Sequence, residues 1–239
     1  MEFSEKKIFI TGASRGIGKS IAEHFKKSGA YVVGTKRHYD SPEHDFCDEW
    51  INADFTFEKE INKCVNYITK KNDIDILINN AGINQIGDFA SINLDVFKKI
   101  QQVNLLAPFL LSQAVIGGMQ DRSWGRIVNI ASIWSKKSKK GRAAYSSSKF
   151  ALYGMTLALS AEHSTDGILA NCISPGFIDT EMTKNTLSSN EIATLKSQVP
   201  MNRLGKVDEI SRLVLWLSSE RNTFTTGQNI AIDGGFTGV

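Results

Sequence analysis

The stretch Ile8-Phe9-Ile10-Thr11-Gly12-Ala13-Ser14-Arg15-Gly16-Ile17-Gly18 passes from a short apolar run through a glycine turn toward a helix. Glycines let a backbone turn tightly and approach a ligand closely. A helix N-terminus adds unsatisfied amides and a partial positive charge, which together suit a pyrophosphate. The setting that reading requires is strand, turn, helix. It is met here, because Ser20 to Ser28 reads as a helix with Ile21, Ala22 and Phe25 inward, ended by Gly29.

Further strands are expected at Tyr31–Gly34, Ile51–Asp54, Ile74–Ile78, Arg126–Ile130, Ile168–Ile173 and Gln228–Ile232. Helices are expected over Glu58–Lys70, around Leu94–Ala114 and over Ala144–Ala161. Strands alternating with helices predict an α/β chain with a parallel sheet and helices on both faces. Right-handed crossovers and a switch in strand order then open a crevice at the carboxyl ends of the strands.

The chain of 239 residues is 41% hydrophobic and 22% charged, which suits one globular enzyme domain spanning 1–239. A net charge of +3 argues neither for nor against an acidic partner, and no nucleic acid is expected. Cys47, Cys64 and Cys172 have neither paired nor metal-ligand spacing, so reduced thiols in a cytoplasmic protein are expected. The apolar run after Lys7 is too short for a signal peptide, and no apolar run is long enough to span a bilayer. His24, His38, His44 and His163 share no spacing, so no metal site is expected.

The second strand ends Gly34-Thr35-Lys36-Arg37, without the acid that would hold both ribose hydroxyls of an unphosphorylated dinucleotide. Lys36 and Arg37 are candidates for a 2′-phosphate instead, with Arg15 closing on it from the turn. Asp40 lies too far along to serve the ribose. Asn79-Asn80-Ala81-Gly82 ends the fourth strand, where small residues admit a cofactor and an amide can tie backbone together. Asp54 reads either as an acceptor for an adenine amino group or as an ordinary turn residue. The expected cofactor is NADP(H).

Tyr145 and Lys149 are four residues apart, the spacing of one helix face. An ammonium beside a phenol lowers the phenol pKa, as proton transfer near neutral pH requires. That pair alone is common by chance. With Ser132 thirteen positions upstream and the glycine turn, it points to hydride transfer at a carbonyl or an alcohol.

These residues, with Asn104, Pro175-Gly176 and Asp233-Gly234-Gly235, resemble the short-chain dehydrogenase/reductase family, of the β-ketoacyl carrier-protein reductase-like type. The resemblance covers essentially the whole chain. It implies a single Rossmann-type domain, a seven-stranded sheet and a homotetramer built partly on the two long helices. It casts Tyr145 as general acid in ketone reduction or base in alcohol oxidation, and Lys149 as its modulator and a ribose ligand. Ser132 would hydrogen-bond the substrate oxygen, and Asn104 would hold a water linking Lys149 to solvent. The implied cofactor residues are Gly12, Ser14, Arg15, Gly16, Ile17, Gly18, Lys36, Arg37, Asp54, Asn80, Ala81, Gly82, Tyr145, Lys149, Pro175, Gly176, Ile178 and Thr180. Pro175 to Thr180 would cover the nicotinamide, with the Ile178 backbone on its carboxamide.

Gly176 to Pro200 is the expected substrate lid. Ser135 to Arg142 places five positive charges between Ser132 and Tyr145. They would steer an anionic substrate or simply form a solvated loop. Two features depart from the carrier-protein reductase pattern: Asp166 before Gly167-Ile168, where a basic residue is usual, and the long loop His38 to Trp50. Three readings follow. One is an NADPH-dependent reductase of a 3-oxoacyl thioester or other small keto compound. Another is a dehydrogenase oxidising an alcohol or sugar. The third is a non-catalytic dinucleotide sensor.

Overall fold

Each strand divides its side chains between two layers of helices, because successive residues of a strand point to opposite faces. In β1 (Lys7–Ile10), Ile8 and Ile10 join one apolar core and Phe9 the other. In β4 (Ile76–Asn79), Ile76 and Ile78 face the first core and Leu77 the second. The computed structural model describes residues 1–37, 45–180, 183 and 188–238. The expectations for His38, Asp40 and His44, and part of those for the loop after the second strand and the Gly176–Pro200 lid, lie outside the described residues.

The other strands are β2 (Tyr31–Lys36), β3 (Glu49–Asn52), β5 (Gly125–Ile130), β6 (Ile168–Pro175) and β7 (Asn229–Ile232). All pair in parallel in the order β3-β2-β1-β4-β5-β6-β7, as one seven-stranded sheet. The α/β fold with a doubly wound parallel sheet is therefore the observed one. The order reverses between β1 and β4, which places the crevice beside Thr11 and Asn80.

One face carries α1 (Gly16–Lys27) and the other α2 (Glu58–Lys71), α3 (Leu94–Gln101), α4 (Ala107–Asp121) and α5 (Ala143–His163). The sequence reading missed two helices, α6 (Ser189–Ser197) and α7 (Val207–Ser218). The second packs beside α1, with Ile210, Val214 and Leu217 buried in the same core. Its apolar residues recur at helical spacing, so the signal was present.

The long helix expected around Leu94–Ala114 is interrupted. A π turn over Gln102–Leu106 joins α3 to α4 and turns Val103 and Asn104 inward. Leu94–Asp121 then forms 28 helical residues containing an 18-residue window of mean hydropathy 1.3, long and apolar enough to cross a membrane by length and composition. This corrects the expectation drawn from continuous apolar runs, because scattered polar residues break the run without making the helix polar overall. Half of that window is buried inside the fold, as in a core helix.

Cys47, Cys64 and Cys172 are buried and unpaired. Burial pushes their thiols up to about 12, about 12 and about 11.

Candidate active site

The turn after β1 is laced to both neighbouring strands. Thr11 Oγ1 accepts from the backbone amides of Asn80 and Ala81, each at 2.9 Å. Asn80 Nδ2 donates back to the Thr11 and Gly12 carbonyls at 3.0 and 3.1 Å. On the other side, Gly12 N donates to Thr35 Oγ1 and Ala13 N to the Thr35 carbonyl, both at 2.9 Å. Gly12 takes a left-handed φ of 65°, open to glycine at little cost. Gly18 is required for space, since a Cβ there would sit 2.2 Å from the Gly12 carbonyl oxygen. Arg15 starts α1 with extended backbone and no side-chain cap, leaving the first amides of the helix to another partner.

A cavity of about 390 Å³ runs from this turn to the end of β5. Gly12, Ser14, Arg15, Gly16 and Ile17 line one end. Asn80, Ala81 and Gly82 form its middle, and Pro175, Gly176, Ile178 and Thr180 border it from β6 onward. Arg37 and Asp54 line it too. Asp54 Oδ1 accepts from the Thr56 amide and hydroxyl at 3.0 and 2.8 Å, so the turn role holds while the carboxylate still faces the cavity. Gly18 sits behind the turn rather than on the cavity wall.

Lys36 is placed differently from the expectation. Thr35 and Arg37 share the face that lines the cavity, and Lys36 between them points to the other face. Its side chain is buried with Nζ 5.8 Å from the Trp50 ring centre. Of the three cations proposed for a 2′-phosphate, Arg15 and Arg37 therefore reach the cavity. Thr35 was missed, although its alternation with Arg37 carried the signal.

At the far end Ser132, Tyr145 and Lys149 face the same space. Ser132 caps a short 3₁₀ turn (Ile133–Ser135) after β5, accepting from Trp134 N at 3.3 Å. Tyr145 and Lys149 lie one turn apart on α5, with Lys149 Nζ 5.7 Å from the Tyr145 ring centre. Lys149 Nζ donates to the Ile130 carbonyl at 2.8 Å. Asn104 reaches the group from the π turn but is fully buried. Its side chain accepts from Ile83 N, and donates to the Ile83 carbonyl and to Ser148 Oγ. Gly82 separates Asn104 from Lys149: a Cβ there would lie 3.4 Å from Asn104 Oδ1 and 3.6 Å from Lys149 Nζ.

Burial raises the Tyr145 phenol above its ordinary value, against an opposing hydrogen bond from Ser132 and the positive charge of Arg142. The four-residue spacing predicts that Lys149 lowers it. Lys149 is instead held down to about 8 by its own burial, and its ammonium is turned to the Ile130 carbonyl. Arg142, which the sequence presents as one of five loop charges, is the cation that acts on the phenol. Among the described residues no group of three or more His, Cys, Asp or Glu is placed to hold a metal.

A family model described as enoyl-(acyl carrier protein) reductase matches residues 12–237. The chain is 35% identical to a 3-oxoacyl-(acyl-carrier-protein) reductase of Buchnera aphidicola subsp. Schizaphis graminum, over 98% of each chain. It is 37% identical to an acetoacetyl-CoA reductase of Shinella zoogloeoides, over 95% of this chain and 96% of that one. The solved structure of ElxO with NADP bound superposes with a TM-score of 0.89 at 31% identity, covering 98% of this chain and all of that one (100%). Fold, motifs and near full-length likeness agree, and the chain belongs to the short-chain dehydrogenase/reductase family of oxidoreductases.

Proposed function

We propose that the protein is an NADPH-dependent reductase of a small keto compound, of the 3-oxoacyl thioester type or simpler. The observation that carries the reading is a single cavity with an anion-suited glycine turn at one end and Ser132, Tyr145 and Lys149 at the other. The residues fit a dinucleotide phosphate. A Cβ at Gly18 would strike the turn itself, and the α1 amides lack a side-chain cap. Arg15 and Arg37 border the same end with no acid among the residues lining it except Asp54. Bound there, the cofactor supplies the hydride.

The chain's own residues would do the rest. Gly12 to Ile17 hold phosphate by backbone amides. Lys149 holds the ribose, and Ser132 donates to the substrate carbonyl oxygen as charge builds on it. Tyr145 donates the proton to that oxygen. Its raised pKa keeps the phenol protonated at neutral pH, the form an acid needs for reduction. Alcohol oxidation needs the phenolate and so would be favoured only at higher pH. The non-catalytic sensor is the weakest of the three readings, because nothing in the cavity displaces the Ser132, Tyr145 and Lys149 side chains.

Asp166 accepts hydrogen bonds from Gln120 and His163, which hold its carboxyl below the usual range. A fixed negative charge there suits a free substrate better than an acidic carrier protein. Leu106, Phe109, Phe150 and Leu157 are exposed on the long helices and would be covered in a homotetramer. Sedimentation at micromolar concentration should show that assembly, and a fully active monomer would overturn it.

The deciding experiment follows NADPH and NADH oxidation against acetoacetyl thioesters, an enoyl thioester, keto sugars, quinones and simple ketones. Reduction of a ketone with NADPH is expected. Oxidation of no cofactor by any carbonyl would sink the reductase reading.

A further inference from the structure

The positive charges of Ser135–Arg142 separate into two kinds. Lys140 is 90% exposed and pairs with Asp88 at 3.7 Å on the outer rim. Lys137 lies 4.2 Å over the Phe236 ring and Lys139 5.4 Å over the Trp134 ring. These two rings meet edge to face at 6.3 Å, and Phe236 meets Phe177 in the same way at 5.0 Å. An aromatic wall with cations on it thus stands beside Ser132 and the start of α5.

Arg142 is unlike the lysines. It occupies the cap position of α5, one turn before Tyr145, with its guanidinium 5.7 Å from the Trp134 ring centre. Its Nε is buried and has no hydrogen-bond partner. Burial lowers its pKa, and the neighbouring Tyr145 phenol opposes that. Half-burying a cation with no counter-charge beside it is unfavourable, and the Nε donor in particular has lost water without gaining a partner. An anion brought by a ligand would restore both the charge balance and the missing hydrogen bond.

We propose that Arg142 binds a carboxylate carried by the substrate itself, so that the substrate is a small oxo-carboxylate rather than a neutral ketone. This rests on the reductase reading and narrows it. Arg142 lies three residues before Tyr145 at the start of α5, on the same side of the helix, so an anion bound there lies within a few bonds of the carbonyl that Tyr145 protonates. The phosphates of a long thioester sit too far from their carbonyl to satisfy it. A carboxylate matches the two parallel donors of a guanidinium, which a lysine cannot offer. Trp134 supports the plane of the fork, and Lys137 and Lys139 draw the anion in from solvent.

The test compares acetoacetate with methyl acetoacetate, which presents the same ketone without the charge, using NADPH as reductant. Wild-type kcat/KM is expected to favour the acid. Arg142→Gln should lower the acid-to-ester ratio on the order of 10- to 100-fold, the loss of a charge-assisted pair. Taking the ratio cancels any effect of Arg142 on Tyr145, which both substrates share. Arg142→Lys should keep part of the preference, and Lys140→Gln on the rim should keep all of it. A wild-type preference for the ester, or equal losses on acid and ester in Arg142→Gln, overturns the proposal and leaves the reductase reading standing. If neither ketone is turned over, calorimetric titration of the NADP⁺-loaded protein with 3-hydroxybutyrate and its methyl ester decides. Acid binding lost in Arg142→Gln supports the carboxylate site, and equal affinity for acid and ester overturns it.

Discussion

The glycine-turn end of the cavity and the segment that borders its far end are held together by different means. At Thr11–Gly18 the positioning bonds run through backbone: Thr11, Gly12 and Ala13 are tied to Thr35 on one side and to Asn80 and Ala81 on the other. At Ser135–Arg142 side chains take a larger share: Ser135 Oγ donates to the Ser132 carbonyl, Ser138 Oγ bonds Ser146 Oγ, and Lys137, Lys139 and Arg142 lie on aromatic rings in contacts that are individually weak. Backbone bonds fix a shape that any phosphate can use. Side-chain contacts fix a local chemistry that a few substitutions can rewrite.

The largest effect that separates the ends should come from Tyr145→Phe. It keeps the ring and removes the acid, so reduction should fall by about 10² to 10⁴ while NADPH affinity stays near wild type. Stopped-flow turnover with fluorescence titration of NADPH checks both. Loss of cofactor affinity in step with turnover would show that the two ends are not independent.

Lys149 gives a signature at the same end without substrate. Its folded pKa of about 8 lies below the ordinary 10.5. Between those values the unfolded chain holds a proton that the folded one has released, so stability rises with pH across that window. The gain approaches on the order of 3 kcal/mol near pH 10.5, and below pH 8 the full penalty is present. Urea denaturation of the cofactor-free protein from pH 7 to 10 should show the rise, and Lys149→Met should flatten it. Parallel curves for the two proteins would show that burial does not hold the lysine down.

The cofactor end should respond to Arg37→Ala. Loss of a charge-assisted contact should weaken NADPH on the order of 1.5–3 kcal/mol and leave NADH little changed. Equal use of both cofactors by the wild type would remove the phosphate role from Arg15 and Arg37 together. The smallest effect belongs to the rim, where Lys140→Gln should change neither cofactor affinity nor turnover, because exposed pairs contribute little.

Most of the first end was legible because a tight strand-to-helix turn demands a particular backbone. Glycine at 12 and 18, and a strand before a helix, leave few other readings. Lys36 was misplaced although strict alternation along β2 turns it away from Thr35 and Arg37. The π turn at Gln102–Leu106 was not legible, since apolar spacing does not distinguish one extra residue in a turn from regular helix. Arg142 was visible only as one charge among five. What sets it apart is an Nε without a partner, and that depends on how Trp134 and α5 pack, which no local pattern encodes.

The three buried thiols have a use at the bench. With their pKa values raised to about 12, about 12 and about 11, they present almost no thiolate at neutral pH. A single cysteine introduced at an exposed position such as Phe224, which is 94% accessible, would then be the one reactive handle on the folded chain. Dyes, spin labels or surface tethers could be attached there without first rebuilding the native cysteines. Modification of the native thiols would in turn report that the fold had opened.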